Sequence, residues 1–375
     1  MVVRTQGIEF LWKVESQFAR VPPRSSARLE KFDASFPTAT MLASRSAALS
    51  ALRLYSTATP PPKPSVKLIA EIRKVTEVSI TKAREALTAT NNDVQAALKW
   101  LEDDLIASGA KKAEKLADRT TKQGLVGYSL LSKGLGQGKN GTRAAMVELN
   151  CETDFVGRNA RFDALVADIA YTAAFLTEPE GPGDFFRPIP VERLQDAPLL
   201  SHTREQPESQ TTVGGAIHDS IARFGEKISL GRAVAVVQNP LAPGLGLRVT
   251  SYAHGAVSDP SHGHVASLAL LAFKSPTLGE LIAQKAFQED LAKLERALAR
   301  QIVGFPTTTL APAEGTEDEY ALLEQQFMLY SGSEGQTVKQ VLDRWAVERG
   351  LVQEDGQSGL RVVDFVKWTV GEAEA

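Results

Sequence analysis

A chain of 375 residues with one cysteine, Cys151, can form no disulfide within itself and no cage of thiolates around a metal. No apolar run approaches the roughly 18 residues that a membrane-spanning helix requires, so no membrane partner is expected. The five histidines are scattered, apart from Ser261-His262-Gly263-His264. That group lacks a nearby Cys or an acidic cluster beyond Asp259, and it reads as an exposed Pro/Gly/His turn rather than a metal site. No Gly-Lys-Ser/Thr phosphate loop occurs. No Ser–His–Asp arrangement can be inferred from residue order, and Asp103-Asp104 reads as a solvated helix end rather than a catalytic pair. Cys151, beside Glu152, could be a nucleophile, but a small residue buried at the end of a strand accounts for it more simply. The composition therefore points away from an enzyme of covalent chemistry, and no cofactor or bound metal is expected.

Acidic residues are missing from one stretch in particular. From Ala34 to Ala70 there is no Asp or Glu, while Arg45, Arg53, Lys63 and Lys67 are basic. Met41 to Ser56 contains Arg and Ser and can form an amphipathic helix, the composition of a mitochondrial transit peptide. Arg53-Leu-Tyr-Ser56 resembles a matrix-processing site. Residues 1–56 are expected to be that leader, with Met41 an alternative start because Glu9, Glu15, Glu30 and Asp33 dilute the earlier charge. The expected destination is the mitochondrial matrix. Without residues 1–55 the chain holds 34 basic and 41 acidic residues, a formal charge of −7. Broad nucleic-acid binding needs a basic footprint, so a protein partner fits better.

Residues 57–64 form a Pro-rich linker. Over 65–109, three short helices are expected. Leu68, Ile69, Ile72 and Val75 recur at helical spacing in the first, Ser79 is placed to cap the second, and Asn92 with Gln95 resembles a capping box for the third. The pattern looks like a ubiquitin-associated-type domain, closed by Ser108-Gly109. Residues 110–123 read as a charged helical connector. Gly136, Gly138 and Gly141 match a dinucleotide fingerprint in form, but the fingerprint must open a helix, and Met146-Val-Glu-Leu149 continues as a strand. Asn140-Gly141 is instead a hairpin turn between strands at 124–132 and 142–150. Helices are expected near 162–173, 213–224, 278–302 and 337–349, and strands at 228–237, 247–256, 265–273 and 360–370. The core then divides into subdomains at 124–237 and 238–375, with a mobile loop at 178–212 in the first. Each reads as helices packed on an antiparallel sheet, an α+β class with hints of duplication.

The most informative segment is Val147 to Asn159. A strand-like run ends at Cys151, and Thr153-Asp154-Phe155-Val156 starts a helix that Thr153 can cap through its hydroxyl, with Asp154 favourably placed in the first turn. Phe155 then sits at a helix tip. It is either a wedge for a partner or a core ring, and most aromatic residues pack inward.

Glu148-Leu-Asn-Cys-Glu-Thr-Asp-Phe-Val-Gly-Arg-Asn159, followed by Phe162, resembles the signature of translation elongation factor Ts, the family of exchange factors for elongation factor Tu. Leu68 to Thr76, Lys82 to Leu87 and Asn92 to Val94 carry a second pattern of that family. Phe224 to Ile228 with Arg232, and Tyr252 to Ala256, are weaker echoes. The likeness runs in order from about Val66 to the C-terminus. It implies a guanine nucleotide exchange factor that binds elongation factor Tu, both GDP-bound and nucleotide-free, and lowers its affinity for GDP and Mg²⁺. It also implies that Asp154 and Phe155 push into the partner near its Mg²⁺ and phosphate pocket. Thr153, Val156, Arg158 and Asn159 complete the motif, and Arg73, Thr76, Ile80, His254 and Gly255 supply further contacts.

Departures from the family pattern limit what is carried over. Gly157 replaces a small helix former, so the wedge helix is expected to bend there or to start later. Glu77 replaces a small residue. The segment between Phe305 and Gln336 is too short for the long helical hairpin of many bacterial members. An alternative function is a ubiquitin- or peptide-binding adaptor using residues 66–106 alone.

Overall fold

The computed structural model describes residues 63–372 apart from 77, 79, 137–140, 180–184, 202–210, 257 and 314–317. The leader at 1–56, most of the linker, Ser79 and Asn140 lie outside the described residues. Those that are described divide into two compact units, one ending at Trp100 and the other beginning at Leu101.

The smaller unit holds α1 (Val66–Thr76), α2 (Ile80–Ala89) and the start of α3 (Val94–Leu116). Ile69, Ile72, Ala83, Ala86, Leu87 and Ala97 form its buried centre. Val75, expected on the inner face, is 65% exposed. The third helix is capped one residue later than its sequence suggests, because Asp93 Oδ1 accepts from the Ala96 N–H at 3.1 Å. Asn91 and Asn92 take left-handed φ angles of 53° and 65° in the preceding turn, which Asn tolerates better than most residues.

Ser108-Gly109 does not end α3, which continues to Leu116. Gly109 is there for closeness rather than for a stop. A methyl group at that position would lie 2.6 Å from the carbonyl oxygen of His218 on α7 (Val213–Phe224), so the helix backbones can meet only at a glycine. Lys112 Nζ donates to the Ala222 carbonyl at 2.9 Å in the same contact.

The larger unit is built on two antiparallel sheets. The first has the strand order β3-β4-β2-β1-β6, from β1 (Gln123–Lys133), β2 (Thr142–Cys151), β3 (Arg187–Pro188), β4 (Ile228–Gln238) and β6 (His262–Gly263). The second has the order β5-β7-β8, from β5 (Leu245–His254), β7 (Val265–Lys274) and β8 (Leu360–Thr369). Strand β1 pairs with β2 from Gln123 opposite Cys151 to Lys133 opposite Thr142, so the Gly-rich connection joins two strands and opens no helix. The α+β class expected from the sequence is the one observed.

Alternation along the strands explains the layers. On β7, Ala266, Leu268, Leu270 and Ala272 meet Val126, Ala144, Met146 and Val236 of the first sheet, whereas Ala269, Leu271 and Phe273 point to the other side. The two sheets thus pack face to face. The outer face of the first sheet is covered by α5 (Ala160–Leu176) and α7 through Phe162, Leu165, Val166, Ile169, Ile217 and Ile221. That of the second is covered by α9 (Lys285–Gly304) and α10 (Val338–Glu348) through Leu291, Leu294, Leu298, Val341 and Trp345. Strands buried on both faces lose the polar half of their alternation, which is why Val265 to Phe273 reads as a continuous apolar run.

Two charged pairs are sealed into these layers. Arg232 Nε donates to Glu148 Oε2 at 2.7 Å, Glu148 Oε1 accepts from Asn150 and from the Gly371 N–H, and the Arg232 guanidinium lies 4.6 Å over the Trp368 ring. Arg248 on β5 pairs with Glu295 on α9. Burial still penalises the charge, pushing the Glu295 carboxyl up despite Arg248, and removing one partner of such a pair would leave the other charged and unpaired.

Part of the stretch expected to be a mobile loop is ordered. Phe186 is buried between the sheets, β3 pairs with β4, and α6 (Val191–Gln195) buries Leu194. The helix expected over 278–302 is two helices, α8 (Leu278–Ala283) and α9, separated at Gln284. Among the described residues no helix lies between Gly304 and Val338, in keeping with the short segment there.

Candidate partner-docking site

Strand β2 ends at Cys151, and one helical turn, α4 (Asp154–Gly157), follows before α5 begins at Ala160. Where the sequence leads one to expect a bend at Gly157 or a later start, the short turn ends with Gly157 and the chain breaks at Arg158 and Asn159. Arg158 is the C-cap of the short turn, and Asn159 caps α5 by accepting the Arg161 N–H on Oδ1 at 2.9 Å. Val156 and Gly157 face inward, Val156 against the cluster under the first sheet. Phe155, between Asp154 and Val156, points the other way and is 83% exposed. Of the two readings open to this ring, the core is therefore excluded. A phenyl group exposed in this way is open to an apolar pocket on another molecule.

Thr153 does not cap the turn, contrary to expectation. Its hydroxyl donates to the Glu226 carboxylate at 2.8 Å, and its backbone N–H donates to the same group at 3.1 Å. Glu226 lies in the corner between α7 and β4. Gly225 ends α7 with a left-handed φ of 75°, which turns the chain so that Glu226 and Lys227 face Thr153 and Glu152. A second bond runs the opposite way, from the Lys227 N–H to Glu152 Oε1 at 2.6 Å. This bond, aided by Arg119 at 3.2 Å, holds the Glu152 carboxyl below the usual glutamate range. The corner bearing Phe155 is thus fastened by two carboxylates, one from each strand end.

Beside the ring, Asp154 Oδ2 and Arg158 Nη2 form an exposed ion pair at 3.2 Å, one turn apart. Its net stabilisation is small, so it opens readily. Cys151 is buried, donates from Sγ to the Thr153 carbonyl at 3.1 Å, and has its thiol pushed up to about 12 by burial, with Glu226 adding to the shift. A thiol so protonated is a poor nucleophile, and the burial reading holds.

His254 and Gly255 are both exposed at the end of β5. Next to them, the turn expected to be exposed is not so. His262 is 1% exposed, and its Nδ1 lies 2.8 Å from Oδ1 of the buried Asp163 in the first turn of α5. The reading of 261–264 as a solvated turn fails because Asp163 and His262 satisfy each other. Each is a polar group that burial alone would penalise.

Arg73, Thr76 and Ile80 lie in the smaller unit. Ile80 is 50% exposed, Arg73 donates from Nε to the Val78 carbonyl at 3.1 Å, and the Thr76 hydroxyl donates to the Ile72 carbonyl at 2.8 Å. Val66 is exposed there as well. Among the described residues, no group of three or more His, Cys, Asp or Glu side chains could hold a metal ion, and no helix is long and apolar enough to cross a membrane.

Glu226, Lys227, Asp163 and His262 carry site geometry that the sequence pattern did not assign. A clue existed for Asp163, an acid between Phe162 and Leu165 on the apolar face of a helix, where a partner is required.

Residues 152–304 match the family model described as Elongation factor TS. The chain is 50% identical over 325 residues to "Elongation factor Ts, mitochondrial" of Laccaria bicolor, covering 86% of this chain and 95% of the relative. It is 48% identical over 342 residues to "Elongation factor Ts, mitochondrial 2" of Postia placenta, covering 88% and 99%. Against "Elongation factor Ts, mitochondrial" of Coprinopsis cinerea the identity is 48% over 326 residues, covering 86% and 95%.

Proposed function

Because this chain belongs to the elongation factor Ts family, we propose that it binds elongation factor Tu and drives GDP from it during translation in the mitochondrial matrix. The observation that carries this reading is the 83% exposure of Phe155 at a corner whose own backbone is tied down. The relatives named mitochondrial and the acid-free stretch from Ala34 to Ala70 support the compartment.

Phe155 enters the GTPase beside the nucleotide pocket, and Asp154 leaves Arg158 to bring a carboxylate toward the phosphates and Mg²⁺. Burying one phenyl ring supplies about 1.5–3 kcal/mol. If that gain is felt only when nucleotide is gone, it weakens GDP by roughly ten- to a hundredfold, since each 1.4 kcal/mol is a factor of ten. Linkage makes the effect reciprocal, so GDP weakens binding of the factor by the same ratio. Larger acceleration draws on further contacts, for which His254 and Gly255 of the larger unit and Arg73, Thr76 and Ile80 of the smaller one are the candidates.

The test is release of a fluorescent GDP from elongation factor Tu, followed with and without this protein. Faster release with the unaltered chain, lost in Phe155→Ala, is expected. An unchanged release rate overturns the reading.

A further inference from the structure

The exposed Phe155 corner and the exposed His254–Gly255 turn belong to different sheets, yet a short bonded route joins them. Asn159 N–H donates to the Val156 carbonyl at 2.9 Å, and Asp163 N–H to the Asn159 carbonyl at 3.0 Å. Asp163 Oδ1 meets His262 Nδ1 at 2.8 Å. Gly263 then passes so close to the His254 carbonyl that no side chain fits, and the His264 N–H donates to that same carbonyl at 2.8 Å.

The surroundings are shaped for this junction. Strand β1 lies beside β6 and under α5 at Gly127, where a methyl group would overlap Val166 and lie 2.7 Å from His262 Cδ2. Gly127 pairs with His262 across the sheet, and Tyr128 N–H donates to the Ser261 carbonyl at 3.1 Å. Asp259 receives the Ser261 N–H at 2.8 Å, which closes the turn that delivers His262. A satisfied buried polar pair rigidifies the elements it joins.

We propose that Asp163 and His262 are positioning residues that lock the Phe155 corner and the His254–Gly255 turn into one rigid surface, so that elongation factor Tu meets both at once. The proposal rests on the exchange reading above. Neither residue of the pair touches the partner; both act through the loops they connect.

A double-mutant cycle on the full chain tests it, with kcat/KM for release of fluorescent GDP from elongation factor Tu as the readout. In the wild-type background, the losses from Phe155→Ala and His254→Ala are expected to fall short of multiplying, by about threefold or more, as for sites that share a rigid network. In Asp163→Ala or His262→Ala the two losses become independent. Asp163→Asn keeps an oxygen for a His262 N–H and restores the coupling, a rescue that a general loss of stability does not produce. Independent losses in the wild-type background overturn the proposal, as does coupling that persists undiminished when the pair is removed. If the alanine variants do not fold, Asp163→Asn and the double variant Asp163→Leu/His262→Phe, which leaves neither partner buried and unpaired, carry the test, with coupling kept in the first and weakened in the second; coupling kept in both, or lost in the first, overturns it. Failure of the wild-type protein to speed release at all is a different result, which overturns the exchange reading and this proposal together.

Discussion

Glu226 and Thr153 stand 73 residues apart and share three contacts, the Thr153 N–H and hydroxyl both reaching one carboxylate within 3.1 Å. The threonine whose sequence position is that of a helix cap is used instead to moor the helix to a distant corner. Glu226→Ala removes the mooring. Loss of a charge-assisted pair of this kind costs about 1.5–3 kcal/mol where it is buried, and less here because the site is only half-buried. Expected are a modest fall in the urea midpoint and a fall in exchange activity larger than that loss explains. Thr153→Val, which keeps the backbone bond, should lie between wild type and Glu226→Ala in both measurements.

Phe155→Ala separates function from fold. The ring is exposed and the residues that anchor its turn are Val156 and Gly157, so its removal should leave stability within about 0.5 kcal/mol of wild type, as for ordinary surface positions. Exchange should fall by one to two orders of magnitude, the value of one buried ring. Thermal melting and GDP release measured on one preparation decide the matter. A large drop in melting temperature would mean that the ring supports its own chain.

Gly157 offers the opposite case. A methyl group added there would lie 3.7 Å from Cys151 Sγ and from the Gly124 carbonyl, which is ordinary contact, and the residue has no left-handed φ. Gly157→Ala should therefore stabilise the chain by about 0.4–1 kcal/mol through the unfolded state. Urea unfolding reads the gain. Exchange activity is expected to persist, because the added methyl faces away from Phe155.

Local signals carried much of this structure. The helix at Val213 to Phe224, the strands β1 and β2 and the break after Gly157 follow from periodicity and helix propensity, each encoded by neighbours in the chain. Thr337 likewise caps α10 with a full capping box to Gln340, three residues away. What escaped depends on residues far apart. The face-to-face packing of the sheets shows only as apolar strands, which a buried parallel strand would also display. Thr153 looks like a cap until Glu226 is seen beside it, and His262 looks solvated until Asp163 is found. Gly109 looks like a helix stop because closeness to His218 leaves no mark on its own neighbours. Phe155 could be read outward only by resemblance, since exposure is a property of what fails to cover a residue.

Cys151 gives a pH-dependent test of the packing under the wedge. Its thiol is pushed up to about 12 in the folded chain, from near 9 when unfolded, because burial disfavours the thiolate. A group whose folded value is raised contributes stability that is complete below the unfolded value and declines as pH climbs from there toward the folded one. Relative to Cys151→Ala, the wild-type urea midpoint should therefore fall between about pH 9 and pH 11, whereas the difference between the two proteins should be flat from pH 6 to pH 8. Lysines and tyrosines titrate in both chains and cancel in the comparison. Alkylation by iodoacetamide at pH 8 should be slow and should accelerate only as urea unfolds the chain, since the reactive thiolate forms in the open state. Rapid modification of the native protein would place the thiol at the surface and remove the buried floor on which Val156 and the Phe155 corner rest.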